Sequence, residues 1–158
     1  MHVAAIGLGS NLDSPYGDRE ANLREAIRRI AALGRIRAVS SFRDTAPIGP
    51  IQPRYLNAAL LLETGLEPVA LMRVLLAIER EMGRNRATGT PKGPRIIDLD
   101  LLLWDDAVLT TVELTLPHPA MTERRFVLEP LAQIASAMVH PISGRTIADL
   151  LDSVVAQP

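Results

Sequence analysis

Two aspartates one residue apart carry the clearest chemical signal in the chain: Asp98 and Asp100, within Gly93-Pro94-Arg95-Ile96-Ile97-Asp98-Leu99-Asp100-Leu101. If this segment is a strand, alternate side chains share a face. Both carboxylates then point one way, with Cα atoms roughly 6.6 Å apart, and Ile97, Leu99 and Leu101 point into a core. Two like charges on so apolar a strand raise each other's proton affinity, and aspartate is a poor strand former. A hard divalent cation removes that cost, and paired carboxylates with phosphate oxygens make a usual magnesium site. Taken alone, Asp-x-Asp is also met on a sheet with one wet face, where the carboxylates are merely solvated.

The residues just upstream bear on that choice. Arg84, Arg86, Lys92 and Arg95 lie between Gly83 and Asp98 with no acidic residue among them. Cationic side chains beside a metal pair can clamp the phosphates that the metal bridges. Gly89, Pro91, Gly93 and Pro94 suit a loop that folds over a ligand. A basic loop by itself is usually a solvated charge run, but the loop and the aspartates together point to a triphosphate site. It is not a P-loop, because Gly89-Thr90-Pro91-Lys92-Gly93 lacks the required Gly-x-x-x-x-Gly-Lys-Ser/Thr pattern, and no Gly-x-Gly-x-x-Gly opens a helix.

The elements that must position these groups follow from periodicity. Residues 2–8 read as a buried strand. Leu23, Ile27 and Ile30 recur at helical spacing, and Gly34 reads as a C′ stop. Arg35 to Phe42 is expected as a second strand, followed by an irregular loop, Thr45-Ala46-Pro47-Ile48-Gly49-Pro50-Ile51-Gln52-Pro53. Tyr55 to Thr64 is a third strand. Pro68 opens a second helix that Gly83 closes, and residues 84–95 form a second irregular loop. Ile96 to Trp104 is a fourth strand, Val108 to Leu114 a further one, and Arg124 to Ala135 a helix. Thr146-x-x-Asp149 resembles a capping box before Leu150 and Leu151. The pattern predicts an α+β fold: a ferredoxin-like βαββαβ sandwich with an additional C-terminal strand and helices, in one domain over residues 1–158.

Composition bounds the rest. The 158 residues suit one domain, 47% are hydrophobic, and the formal net charge is −1, so no global field draws the chain to nucleic acid or membrane. There is no cysteine, which excludes disulfides, thiolate ligands and a cysteine nucleophile. No leader-like N-terminus and no long apolar run are evident, so a cytoplasmic protein is expected; separately, a monomer acting on small molecules is expected.

Several further segments complete a pattern: Leu8-Gly9-Ser10-Asn11-Leu12, Ser40-Ser41-Phe42, Thr45-Ala46-Pro47-Ile48-Gly49-Pro50 and Tyr55-Leu56-Asn57-Ala58-Ala59. Ile78-Glu79, Gly83-Arg84-x-Arg86, Leu116-Pro117-His118-Pro119-x-Met121 and Arg125-Phe126-Val127-Leu128-x-Pro130-Leu131 join them. Together with Gly-Pro-Arg-x-x-Asp-x-Asp, they resemble the 6-hydroxymethyl-7,8-dihydropterin pyrophosphokinases of folate biosynthesis along nearly the whole chain. The resemblance implies a ferredoxin-like core whose valley holds ATP and a reduced pterin. The pterin hydroxymethyl oxygen attacks the β-phosphorus, giving AMP and the pterin pyrophosphate. It further implies two Mg2+ ions on Asp98 and Asp100, with Arg84 and Arg95 stabilising developing charge. Glu79, Arg86, Lys92, Thr115, His118 and Arg124 match positions around the nucleotide. Asn57 pairs with the pterin edge, Tyr55 and Phe126 stack on its faces, and Gly9, Thr45, Ala46 and Ile48 line the same pocket.

The chain departs from the family pattern in places. Pro91-Lys92 replaces an Arg-Trp pair, Leu76 a frequent glutamine, Glu113 a common arginine and Pro119 a frequent aromatic residue. None of these is in the metal pair, so altered affinity rather than altered chemistry is expected. Trp104, His2 and His140 read as packing or surface residues. Two other classes compete: an RNA-binding module and a non-catalytic domain on the same fold. Aromatic content of 3% and the lack of an RNP-like aromatic pair weigh against the first. The intact Asp98, Asp100, Arg84, Arg95, Asn57 and Phe126 weigh against the second.

Overall fold

The computed structural model of the chain describes residues 1–49, 51–83 and 94–154. Five strands form an antiparallel sheet: β1 (His2–Ser10), β2 (Arg35–Val39), β3 (Arg43–Thr45), β4 (Tyr55–Thr64) and β5 (Asp98–Trp104). Their lateral order is β2-β4-β1-β5, and β3 continues along β4 beyond β2. Among the described residues, four α-helices accompany them: α1 (Arg19–Ile30), α2 (Pro68–Glu81), α3 (Arg125–Ala135) and α4 (Ile147–Ser153). A small hairpin pairs β6 (Leu109–Thr110) with β7 (Thr115–Leu116). Among the described residues, no helix is long and apolar enough to cross a membrane.

Period-two alternation on the central strands builds two cores. Ala4, Ile6 and Leu8 of β1, with Ala58, Leu60 and Leu62 of β4, bury against Leu23, Ala26 and Ile30 of α1 and Leu71, Leu75 and Ile78 of α2. The opposite face, through Ala5, Ala59 and Leu61, packs on Val127, Leu128 and Leu131 of α3 and on Ile147 and Leu150 of α4. Each large side chain buried this way contributes about 1.5–3 kcal/mol relative to exposure. The sheet is therefore held rigidly from both sides, which is what a site built on its strands requires.

Local signals set the helix ends. The Asp18 side chain accepts the Ala21 N–H at the start of α1, and Pro68 occupies the first turn of α2, where its missing N–H has no helical partner to lose. Thr146 accepts the Asp149 N–H at the start of α4, as its sequence spacing predicts. Gly83 ends α2 at φ +106°, a conformation that favours glycine.

Four expectations are corrected. Gly34 is not a left-handed stop, since its φ of 161° is extended. It is needed for space, because a Cβ there would lie 2.1 Å from the Glu63 carbonyl oxygen of β4. The second strand ends at Val39 rather than Phe42, where Ser40 Oγ takes the Ala59 N–H in place of a ladder bond. The fourth strand starts at Asp98 rather than Ile96, because Arg95 turns aside to bond Asn11. The Val108–Leu114 strand shrinks to Leu109–Thr110, since the Thr111 hydroxyl and backbone bond Leu114 and turn the chain.

Candidate active site

The sheet face that carries α3 is left uncovered toward one end, and there a cleft of about 210 Å³ opens. Its floor is a row of residues in register across three strands: Asn57 on β4, Gly9 on β1 and Asp98 on β5. A second row, Ala59–Gly7–Asp100, lies one step along. With strands about 4.8 Å apart, roughly 10 Å separates the Asn57 and Asp98 backbones. The glycines keep the middle of the floor open. A Cβ on Gly9 would sit 3.0 Å from Asn57 Oδ1 and 3.4 Å from Tyr55 Cδ1.

Asp98 and Asp100 share the cleft face because Leu99 and Leu101 take the α1–α2 core on the other side. The alternation holds only as far as a bulge. Ala5 pairs with Leu103 and Ile6 with Leu101, so Leu102 is the extra residue, and both Leu102 and Leu103 pack toward α3. The bulge also has a use. The Leu102 carbonyl accepts the His118 N–H at 2.9 Å, which sets His118 Nε2 3.9 Å from Asp100 Oδ1.

The Ala120 N–H donates to His118 Nδ1 at 3.2 Å, so the neutral ring carries its proton on Nε2, the nitrogen that faces Asp100. Burial, and then the Arg124 charge, hold the His118 imidazole below its ordinary range, while Asp98 pulls the other way. A neutral imidazole beside the carboxylates adds no cation of its own.

Arg95 lines the cleft, and its Nη1 lies 3.4 Å from Asp98 Oδ1. At the other end, Asn57 is 6% exposed and its Nδ2 donates to Thr45 Oγ1, which fixes the carboxamide and leaves Oδ1 over Gly9. Tyr55 and Phe126 flank this end, together with Ala46 and Ile48. The Arg124 guanidinium stands 5.7 Å from the Phe126 ring centroid, within reach of a cation–π contact. One end is thus a flat, partly apolar slot with an amide edge. The other is a charged end with two carboxylates, an arginine and a histidine.

The described site residues named from sequence sort clearly. Gly9, Thr45, Ala46, Ile48, Tyr55, Asn57, Arg95, Asp98, Asp100, Arg124 and Phe126 all line the one cleft, and His118 adjoins it through Asp100. Glu79 and Thr115 do not line it. Glu79 is 1% exposed, and its Oε2 accepts the Leu99 N–H between the two aspartates at 2.7 Å. Thr115 sits in the small hairpin opposite Thr110. Arg84, Arg86 and Lys92, with most of the basic loop, lie outside the described residues. Sequence reasoning missed Gly7, Leu8, Ala58 and Val127 as lining residues. Gly7 had a signal, since it stands two residues before Gly9 and so shares its face.

A family model described as 7,8-dihydro-6-hydroxymethylpterin-pyrophosphokinase matches residues 5–136. The chain belongs to this pyrophosphokinase family. Among relatives in the family, it is 43% identical to the 2-amino-4-hydroxy-6-hydroxymethyldihydropteridine pyrophosphokinase of Synechocystis sp., over 97% of this chain and 76% of that protein. It is 42% identical to the Methylorubrum extorquens protein of the same name, over 96% and 92%. The folic acid synthesis protein fol1 of Schizosaccharomyces pombe is 35% identical over 98% of this chain, which spans only 21% of that longer protein. In structure the chain resembles Plasmodium falciparum HPPK-DHPS crystallised with pteroate, at a TM-score of 0.75 and 15% identity, covering 96% of this chain and 42% of that one. At that identity the last likeness speaks for the pyrophosphokinase fold alone.

Proposed function

We propose that this pyrophosphokinase transfers pyrophosphate from ATP to the hydroxymethyl group of 6-hydroxymethyl-7,8-dihydropterin, a step of folate biosynthesis. The hydroxymethyl oxygen bonds to the β-phosphorus, and the bond from that phosphorus to the α–β bridging oxygen breaks. AMP leaves with the bridging oxygen, and one proton is released. The observation that carries this reading is the row Asn57–Gly9–Asp98. It sets a heterocycle slot and an anionic pair at opposite ends of one cleft, about the separation a pterin and a triphosphate would need to meet.

Within this reading the pterin lies between Tyr55 and Phe126, with its polar edge on Asn57. Flat heterocycles call for aromatic faces and a few fixed polar groups. Arg95, and from the sequence Arg84, steady charge on the phosphates. Arg86, Lys92, Thr115, His118 and Arg124 contribute around the nucleotide, and Glu79 acts from behind by bonding the strand that bears the aspartates. Such transfer depends on positioning and electrostatics rather than on a covalent intermediate.

The donor set also suits magnesium. Two hard carboxylates face the cleft, and among the described residues no third histidine or acidic side chain completes a three-ligand cluster. Magnesium commonly takes one or two carboxylates and fills its remaining positions with water and substrate phosphates. Asp98 and Asp100 would hold the ions, which when bound neutralise charge on the triphosphate. The antiparallel order β2-β4-β1-β5 with α1 and α2 on one face supports a ferredoxin-like core carrying added C-terminal elements, and we read the chain as one domain.

Product analysis tests the proposal. ATP, magnesium and the reduced hydroxymethylpterin should yield AMP in step with pterin consumed. Pterin-dependent ADP in its place would reassign the chain as an ordinary kinase.

A further inference from the structure

The helix α3 carries a polar stripe beside its apolar one. Arg125, Glu129 and Gln133 recur at every fourth position, so they share one face of the helix, while Val127, Leu128 and Leu131 turn to the sheet. The stripe meets residues 41–43, the short run that leads into β3. Gln133 Oε1 accepts both the Ser41 N–H at 3.0 Å and the Ser41 hydroxyl at 2.9 Å. Arg43 Nη1 donates to Glu129 Oε1 at 2.8 Å, and Arg125 Nε donates to Glu129 Oε2 at 3.1 Å. The Glu129 carboxylate thus joins a guanidinium from β3 to one from α3.

This seam runs beside the heterocycle slot. Along β3, Arg43 and Thr45 share a face because side chains alternate, and Asp44 turns the other way to Arg19 of α1. Thr45 accepts the Asn57 amide at the slot, and Phe126 follows Arg125 directly on α3. The arginines that Glu129 joins therefore stand next to, or one residue removed from, groups that wall the slot. The strand β3 depends on such a hold. It has three residues and, among the described strands, pairs with β4 alone, so few ladder bonds fix its distance from α3. Arg43 Nε is buried without a partner, which leaves the Glu129 bond to keep the guanidinium in place.

We propose that Glu129 is a positioning residue that sets the width of the heterocycle slot, by holding β3 to α3 through Arg43 and Arg125. The identity of the ligand as the reduced pterin rests on the pyrophosphokinase reading. Neither Glu129 nor Arg43 lines the cleft, so the effect passes through Thr45 and Phe126. Where the two walls part, the slot is no longer competent, and affinity falls by the fraction of molecules in which it stays closed. Ion pairs as exposed as these contribute little to global stability. Loss of the seam is therefore read in binding rather than in melting.

Calorimetry and steady-state kinetics on the whole chain with magnesium test it. Glu129→Gln loses the charge and one acceptor oxygen, so the side chain cannot bond both guanidiniums. The reduced pterin should bind about fivefold or more weakly, as when the closed slot falls to about a fifth of the population. Its KM should rise by a like factor with kcat at saturation unchanged. A nonhydrolysable ATP analogue should bind within about twofold of the parent, the margin for independent sites, and the melting temperature should hold. Arg43→Met should give a loss of the same kind. The double variant should lose no more than the larger single loss, because both changes cut one contact. Losses that multiply in the double variant, equal weakening of both ligands, or an unchanged pterin affinity would each overturn the proposal. Should Glu129→Gln fail to fold, Arg43→Met decides alone, with selective loss of the pterin supporting the proposal and unchanged pterin affinity overturning it. If the unmodified protein binds no pterin, the pyrophosphokinase reading itself fails, and with it the ligand named here.

Discussion

Replacing Gly9 with alanine probes the geometry of the cleft with a single methyl group. The new Cβ would stand 3.0 Å from Asn57 Oδ1 and 3.4 Å from Tyr55 Cδ1. The oxygen cannot simply swing away, because the same carboxamide is held through Nδ2 on Thr45. Either it moves by a few tenths of an ångström or the methyl occupies floor that a flat ligand would cover. Overpacking of this size costs about 1–3 kcal/mol, which corresponds to a loss of roughly 5- to 150-fold in affinity. Folding should be spared, since Gly9 is not in the left-handed region that would bar alanine. Alanine also narrows the unfolded ensemble, worth about 0.4–1 kcal/mol. Calorimetry should therefore show selective weakening of the pterin, with an ATP analogue bound nearly as before and an unchanged melting temperature. Pterin affinity within about twofold of the parent, well under one tenfold step of 1.4 kcal/mol, would refute the reasoning, as would equal loss of both ligands.

Asp98→Asn or Asp100→Asn should abolish transfer while circular dichroism and melting report an intact fold, because an amide keeps the shape but not the charge that magnesium requires. Asn57→Ala should cost the pterin roughly 1–3 kcal/mol by leaving its edge unpaired, with nucleotide binding in separate titrations unaffected. His140 is buried, which holds its imidazole below the ordinary range, and its Nδ1 accepts the Ser143 N–H at 3.1 Å. The fold thus favours the neutral ring, so this contribution to stability is complete above the unfolded value of about 6.5 and is lost as pH falls below it. Denaturant midpoints measured from pH 8 down to 5 should decline, and His140→Gln should flatten that decline.

Much of the site was legible in the sequence because it is built on strands, where period two decides facing. Asp98 and Asp100 could be assigned to one face from spacing alone, whereas Asn57 and Gly9 were placed only by the family resemblance; register then brought all four into rows, with Gly9 inside a first strand that runs on to Ser10. The apolar partners Leu99 and Leu101 pointed inward as read. What failed was irregular. The three-residue β3 has no periodicity of its own and exists because β4 runs on past β2 and offers it an edge. The bulge at Leu102 depends on how β1 and β5 twist together, and no residue type announces it. Gly34 had the right identity for the wrong reason, since its demand comes from Glu63 on a distant strand. Asn11 read only as part of a motif, because its partners are far away in the chain. Such side-chain bridges become visible only when the fold is closed.

The central claim is that attack falls on the β-phosphorus. ATP labelled in the β-phosphate, incubated with magnesium and the reduced hydroxymethylpterin, tests it most directly. The account predicts that the label leaves the nucleotide entirely and appears in a pterin product bearing two phosphorus atoms, with unlabelled AMP formed in equal amount. Label retained in ADP, beside a pterin carrying a single unlabelled phosphate, would contradict it.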